Sequence, residues 1–145
     1  MEWAIEQDVP APKPPTKMPY AEWQKIWTRT NLIPDAWWIA VQDGQYLGQT
    51  NLWGSQARED LLYTGLIGVL RSHRRMGIAS ALKVQAVRYA QAQGIGEVGT
   101  WNEANNEGML AIDVRLGFVR QPAHIEYMKK LREEPGYVEG KETDR

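Results

Sequence analysis

The alternation of apolar and polar positions divides the first third of the chain into short segments. Glu2 to Gln7 predicts a short helix that ends ahead of Pro10, because a residue before proline avoids the helical region. The proline-rich stretch 10–19 predicts an extended connector. Beyond it, Trp23, Ile26 and Trp27 have the spacing of one helical face, which predicts a helix of about ten residues.

A hairpin and a third strand are predicted next. Strand-like runs cover 37–41 and 46–53, and Asp43-Gly44 between them is typical of a tight turn. A longer apolar run follows over 61–70. Gly65 and Gly68 within it indicate a bulge or a close approach of the backbone.

The second half alternates between helix and strand. Its predicted elements are a helix from Met76 that ends at Gly94, a strand over 97–101, a helix that begins at Asn105 or Asn106 and ends at Gly117, and a last strand over 124–128. Residues 133–145 carry mixed charges, proline and glycine, so a flexible C-terminal tail is expected there. Residues 1–132 are then one domain.

Composition narrows the function classes. The chain has 145 residues, no cysteine and a formal net charge of -1. Its length suffices for a core without disulfides. The balanced charge argues against nucleic acid as the main partner, and no apolar run is long enough to span a membrane. The start of the chain lacks the basic and apolar regions of a secretory signal, so we expect a cytoplasmic protein.

An apolar strand passes through a basic turn into a helix at residues 69–80. Gly77 permits a close approach of a ligand, and the helix start offers free amides for an anion. Nearby arginines add positive charge: Arg71, Arg74 and Arg75. A phosphate or pyrophosphate is the expected guest. The alternative interpretation is a solvated basic loop in which Gly77 only ends the turn.

Other phosphate and metal motifs do not fit. The chain has no Gly-Lys-Ser/Thr loop, and Gly65 and Gly68 lack the spacing of a dinucleotide fingerprint. Its two histidines have no carboxylate or cysteine at ligand spacing, so no metal site is expected. His73, beside the basic turn, is open to either a solvated or a catalytic or phosphate-binding role.

The segment Arg74-Arg75-Met76-Gly77-Ile78-Ala79 resembles the Arg/Gln-x-x-Gly-x-Gly/Ala signature of the GNAT family of N-acetyltransferases. The resemblance continues through Thr100-Trp101-Asn102 and Asn106-Glu107-Gly108-Met109 to Arg115-Leu116-Gly117-Phe118, and it covers about residues 37–130. The chain also resembles a shortened single domain of bacterial proteins that carry two such domains in tandem.

The resemblance implies an α/β fold with a mixed sheet, flanked by about four helices. The sheet would splay open between the strand at 61–70 and the strand at 97–102. The family's first strand would be missing or supplied by Trp3-Ala4-Ile5. A missing edge strand would leave an exposed sheet edge, which favours a homodimer.

The resemblance also implies acetyl-coenzyme A (acetyl-CoA) as the cofactor and direct acetyl transfer to an amine of a small molecule or peptide. The Val69 amide would point at the thioester carbonyl, where negative charge develops. The implied cofactor-binding residues are Ile67 and Val69 along the pantetheine arm, Arg74, Arg75, Gly77, Ile78, Ala79 and Ser80 around the pyrophosphate, and Asn106 on the last helix.

Two positions depart from the family pattern. Tyr63 stands where many relatives have a glutamate base, and Asp113 stands where many have a tyrosine that protonates the leaving thiolate. Both are candidate catalytic residues, although a half-buried strand aromatic and a structural carboxylate are the ordinary interpretations. The departures keep a non-catalytic CoA-binding or regulatory module open as the rival function. A domain that binds some other phosphate is the third option.

Five of the chain's seven tryptophans admit two interpretations. They lie in segments that form the acceptor side in this family: Trp23, Trp27, Trp37, Trp38 and Trp53. Large aromatic side chains ordinarily pack a core or a hairpin. The alternative interpretation is an aromatic wall for an apolar or cationic acceptor.

Overall fold

A computed structural model describes residues 2–11, 15–122 and 129. The helices are α1 (Glu2–Glu6), α2 (Tyr20–Gln24), α3 (Ile78–Ala92) and α4 (Glu107–Arg115), with short 3-10 turns at Lys25–Thr28 and Arg71–His73. The strands are β1 (Leu32–Gln42), β2 (Gln45–Gly54), β3 (Leu61–Thr64), β4 (Gly68–Val69) and β5 (Glu97–Gly99). Within the described part of the chain, a search of the helices finds no candidate membrane span.

The five described strands form one mixed sheet. Its order is β1-β2-β3-β5, and β4 pairs with β2 beyond the end of β3. The pairs of β2 with β1, β3 and β4 are antiparallel, whereas β3 and β5 are parallel. The α/β fold with a mixed sheet and four flanking helices is therefore confirmed.

The predicted hairpin is present, and its turn shows why Asp43-Gly44 is needed. Both residues have positive φ, 49° and 75°, as a tight turn that matches the strand twist requires. β1 begins earlier than predicted, at Leu32, and its register shifts between Leu32 and Trp37. Pro34 lies in this irregular part, where a missing amide proton costs no ladder hydrogen bond.

The apolar run at 61–70 is two strands, not one. β3 ends at Thr64 and β4 begins at Gly68, so Gly65 to Ile67 leave the ladder. A Cβ on Gly65 would overlap Asn51 Oδ1 and Trp53 Nε1, and would lie 2.9 Å from Trp53 Cδ1. The predicted close approach of the backbone is confirmed at this glycine, and the break divides the run.

We expect Gly65→Ala to lower the free energy of unfolding by about 1–3 kcal/mol, because the new methyl group overlaps two packed side chains. Urea unfolding measures the change. Gly54→Ala is the matched control on β2, since a Cβ there has the Asn31 carbonyl oxygen at 3.7 Å as its nearest neighbour. Equal midpoints for the two variants would contradict the close approach.

The core lies between the sheet and α3. Its buried cluster is Ala36, Leu52, Leu62, Ala86 and Ala90, with Ile33, Trp38, Tyr89, Ile95 and Val98 packed against it. Trp38 meets the Tyr89 ring edge-on at 5.5 Å between centroids. α1 covers the opposite face of the sheet. Gly68 is paired with Gln49, whose side chain points away from that of Leu52 because side chains alternate along β2. Ile5 of α1 contacts Gly68 on this second face.

Other expectations need correction or fall outside the description. Trp3-Ala4-Ile5 does not supply a strand, since these residues lie in α1. The second helix is α-helical only to Gln24 and continues as a 3-10 turn to Thr28. The predicted strand at 124–128 and the domain boundary at 132/133 lie outside the described residues.

Candidate active site

The sheet opens beside the β3–β4 break. β3 and β5 pair over three residues, from Leu61↔Glu97 to Tyr63↔Gly99, and the Thr64 hydroxyl donates to the Gly99 carbonyl at 3.0 Å. β4 then turns toward β2, and the described residues beyond Gly99 form no ladder with it. This is the splayed arrangement that the resemblance implies.

The free edge of β4 faces this opening. Val69 pairs with Gly48, and the Leu70 amide donates to the Leu47 carbonyl at 2.8 Å. Because the backbone groups of an antiparallel strand alternate in direction, the amide and carbonyl of Val69 point away from β2, as do those of Ile67. An extended ligand in the opening could therefore pair with these two residues.

The turn into α3 has the geometry of an anion site. Gly77 precedes the helix with φ +82°, and Arg75 has φ +64°. The first helical hydrogen bond runs from the Ala81 amide to the Gly77 carbonyl at 3.0 Å, so the amides of Ile78, Ala79 and Ser80 have no acceptor within the helix. Among the described residues no side chain caps them.

The space above this helix start is open, since a Cβ built on Gly77 would meet nothing within 4 Å. Open amides, a positive helix end and an exposed Arg75 suit a pyrophosphate. The residues present therefore fit the phosphate end of coenzyme A.

Two of the three arginines share a carboxylate that the sequence did not point to. Arg71 Nε donates to Asp8 at 2.8 Å, and Arg74 Nη2 donates to it at 2.6 Å. The Arg71 hydrogen bond, together with the charge of both arginines, lowers the pKa of Asp8. Arg74 Nε also donates to the Val69 carbonyl at 3.0 Å. Asp8 thus neutralises part of the positive charge that the sequence predicts for phosphate binding.

A cavity of about 640 Å³ lies at the other end of β3 from the break. It is lined by Thr28, Arg29, Thr30, Asn31, Gly54, Ser55, Gln56 and Tyr63. The Tyr63 ring stacks on Trp101, with centroids 4.6 Å apart. Of the two candidate catalytic residues, Tyr63 is therefore the one that faces a cavity.

The tryptophans divide between the two interpretations. Trp27 is stacked on Trp37 at 5.1 Å and lies edge-on to Trp23 at 5.8 Å, and it is 46% exposed. Trp38 packs against the core, and Trp53 lies against Gly65. The packing interpretation holds for Trp38 and Trp53, while the other three form a partly exposed aromatic row.

Asp113 lies in a buried polar cluster. Its carboxylate accepts from Lys83 Nζ and, at 2.7 Å, from Asn102 Nδ2. Lys83 is fully buried, and its Nζ lies 3.5 Å from Thr100 Oγ1 and 4.9 Å from the centroid of the Phe118 ring. These contacts are those of a structural carboxylate and do not support the role of proton donor.

Sequence reasoning missed Lys83, although a signal was present. Lys83 is four residues after Ala79 and three before Ala86, so it occupies an inward position of the α3 stripe. A lysine at such a position needs a partner, because an unpaired buried charge is costly.

The remaining candidates have local partners. The Asn106 side chain caps α4 by accepting from the Met109 amide at 3.4 Å, so its observed contact is that of a helix cap. His73 Nδ1 lies 2.8 Å from the Ser72 hydroxyl. In the described part of the chain, no three histidine and carboxylate side chains come together as metal ligands would.

Comparison with known proteins gives consistent matches. The sequence model described as "Acetyltransferase (GNAT) family" matches residues 2–118. The N-alpha-acetyltransferase MAK3 of Arabidopsis thaliana is 38% identical over 58 residues, which are 40% of this chain and 30% of that protein. The mycothiol acetyltransferase of Paenarthrobacter aurescens (strain TC1) is 32% identical over 62 residues, 43% of this chain and 19% of that protein.

The fold is also that of solved acetyltransferases. The structure of AAC(6')-Iy in complex with the bisubstrate analog CoA-S-monomethyl-acetylneamine superimposes with a TM-score of 0.64 at 23% sequence identity, over 89% of this chain and 90% of that one. By contrast, the matched segments span less than a third of the curated relatives.

Proposed function

The chain belongs to the GNAT family of acetyltransferases, and on this premise we propose that it transfers an acetyl group from acetyl-CoA to a primary amine of a small molecule or peptide. The observation that carries the proposal is the opening between β4 and β5 beside an uncapped α3 start. An exposed strand edge and an anion site lie next to each other there, as a ligand with an amide-containing arm and a pyrophosphate requires.

The chain's own residues would bind the two parts of acetyl-CoA separately. The amides of Gly77, Ile78, Ala79 and Ser80, with Arg75, would hold the pyrophosphate. The outward backbone groups of Ile67 would pair with the pantetheine arm, and the Val69 amide would polarise the thioester carbonyl. The Val69 carbonyl already accepts from Arg74 Nε at 3.0 Å.

When bound, acetyl-CoA supplies a thioester whose carbonyl carbon bonds to the neutral amine nitrogen as the C–S bond breaks, while the amine loses a proton and the thiolate gains one. A lysine-like amine has a pKa of about 10.4, so the site must receive or produce its neutral form. We assign Tyr63 to orient the acceptor from the cavity wall, with the proton leaving through water there. Direct transfer needs no covalent intermediate on the protein.

Asp113 is better assigned to structure than to proton donation. Both of its oxygens already accept hydrogen bonds, one from Lys83 and one from Asn102. We therefore propose that the thiolate takes its proton from water. The same cluster favours the rival function, a CoA-binding module without catalysis, because it replaces the family's proton donor.

The choice of acceptor amines to test follows from the matched proteins. The matched relatives are named an N-alpha-acetyltransferase and a mycothiol acetyltransferase, and the superimposed AAC(6')-Iy structure holds the bisubstrate analog CoA-S-monomethyl-acetylneamine, so peptides and amino sugars belong in a screen. A homodimer would pair the edge of β1, where Ile39 and Val41 are exposed. A cytoplasmic location and the absence of a nucleic-acid partner stay predictions of the sequence.

Calorimetric titration with acetyl-CoA, followed by an assay for free CoA thiol with an amine panel, tests the function. We expect saturable binding and thiol release that depends on at least one amine among peptides with free N-termini, amino sugars and polyamines. Binding without amine-dependent thiol release across the panel would favour the non-catalytic module. Tighter binding of a nucleotide than of acetyl-CoA, or no binding by the folded protein, would contradict the proposal.

A further inference from the structure

The N-terminal segment is fastened to the strand that offers its edge to the cofactor. Ile5 is only 2% exposed and lies directly against Gly68, where a Cβ would overlap its Cγ2 atom. Glu2, the first residue of α1, accepts from the Trp23 indole at 2.8 Å, which holds the start of this helix. β4, only two residues long, thus gains support from a segment more than 60 residues earlier in the chain.

A second connection reaches Val69 itself. Asp8 follows α1 and holds Arg74 Nη2, while Arg74 Nε donates to the Val69 carbonyl. The Arg74 guanidinium therefore joins the Asp8 carboxylate to the backbone of Val69. On the other side of β4, the Leu70 amide is bonded to the Leu47 carbonyl, so the chain after Val69 is held from two directions.

We infer that Asp8 and Arg74 are positioning residues: they hold the peptide unit that follows Val69, and through it the Val69 backbone, so that the Val69 amide points at the thioester carbonyl. This inference rests on the proposed function. A short strand at a break has few ladder bonds of its own, and an amide that polarises a carbonyl must be fixed in direction before the ligand arrives. Arg74 then acts through Val69, and the phosphates are left to Arg75 and the helix amides.

Arg71 supplies a control within the chain. It donates to the same Asp8 carboxylate and carries the same charge, and its described contacts do not include Val69. If the positive charge alone mattered, substitution of Arg71 and of Arg74 would lower turnover equally. If positioning of Val69 matters, turnover would fall only when Arg74 or Asp8 is substituted.

The experiment records the ¹³C signal of the thioester carbonyl of labelled acetyl-CoA bound to the parent protein and to the D8N, R74Q and R71Q variants. We expect the carbonyl signal to move toward its free-ligand position in D8N and R74Q, and to stay at the parent position in R71Q. Turnover of D8N and R74Q should fall by roughly tenfold to a hundredfold with the Kd for acetyl-CoA changed by less than about threefold, because misdirected groups lower rate more than binding.

The pH dependence of D8N gives an independent reading. The Arg71 hydrogen bond lowers the pKa of Asp8. The stabilisation that the charged Asp8 carboxylate gives is therefore complete above its unfolded pKa of about 3.9, and it is lost only as the pH falls through the lowered pKa. The ratio of D8N to parent turnover should therefore be the same at about pH 6 and about pH 9.

Four results would overturn the inference. A large loss of acetyl-CoA affinity in R74Q with an unmoved carbonyl signal would make Arg74 a phosphate ligand. The same signal change in R71Q would make the effect one of charge. A parent protein that does not bind acetyl-CoA would remove the proposed function and this inference together, whereas binding without any variant effect would remove the inference alone.

Discussion

Gly77→Glu is expected to weaken acetyl-CoA binding by on the order of a hundredfold or more, equivalent to about 2.8 kcal/mol. The new side chain would enter the open space at the start of α3, where a Cβ meets nothing within 4 Å. Its carboxylate would be attracted to the helix end and would take the amides of Ile78, Ala79 and Ser80 in place of the pyrophosphate. Isothermal calorimetry on both proteins measures the loss.

Gly94→Glu is the matched control at the other end of the same helix. Gly94 has φ +69°, and a Cβ added there would meet nothing within 4 Å, so the variant carries similar backbone strain and the same added charge. We expect comparable thermal destabilisation of the two variants and a loss of binding in Gly77→Glu alone. Equal binding losses would mean that strain and net charge, not the anion site, control affinity.

The features predicted correctly from the sequence depend on neighbours in the chain. The hairpin follows from the positive φ that Asp43-Gly44 adopts readily. The helix α3 begins at Ile78, two residues after the predicted Met76, and its start follows from Gly77 ahead of an apolar stripe. Neither needs information about distant parts of the chain. The opening in the sheet, by contrast, came from the family resemblance and not from the residues' own pattern.

The features that could not be predicted depend on partners far away in sequence. Asp8 lies 63 and 66 positions from the arginines it holds, and Lys83 lies 30 positions from Asp113. The sequence around an arginine beside a glycine turn is the same whether its side chain binds a phosphate or a distant carboxylate. The sequence pattern therefore predicted a phosphate for Arg74 and gave no sign of Asp8. The break in the 61–70 run likewise depends on Asn51 and Trp53, which lie on another strand.

The buried pair formed by Lys83 and Asp113 gives the largest expected change in stability. Lys83→Met should lower the free energy of unfolding by about 3–5 kcal/mol, because it leaves the Asp113 carboxylate buried with Asn102 as its remaining described partner. Domains of this kind have a total stability of about 5–15 kcal/mol, so the loss is readily measured by urea unfolding. The double variant K83M/D113L should be more stable than K83M, since it removes the uncompensated charge.

Asp113→Asn decides between the structural and the catalytic interpretation of that carboxylate. In the structural interpretation it leaves a buried lysine without its counter-charge, and its stability falls by an amount comparable to that of Lys83→Met. In the catalytic interpretation the two variants diverge: Asp113→Asn keeps its stability and loses turnover, whereas Lys83→Met loses stability. Unfolding midpoints and turnover per folded molecule, measured on both variants, separate the two interpretations. We expect both variants to lose stability, because each oxygen of Asp113 already accepts a hydrogen bond inside the protein.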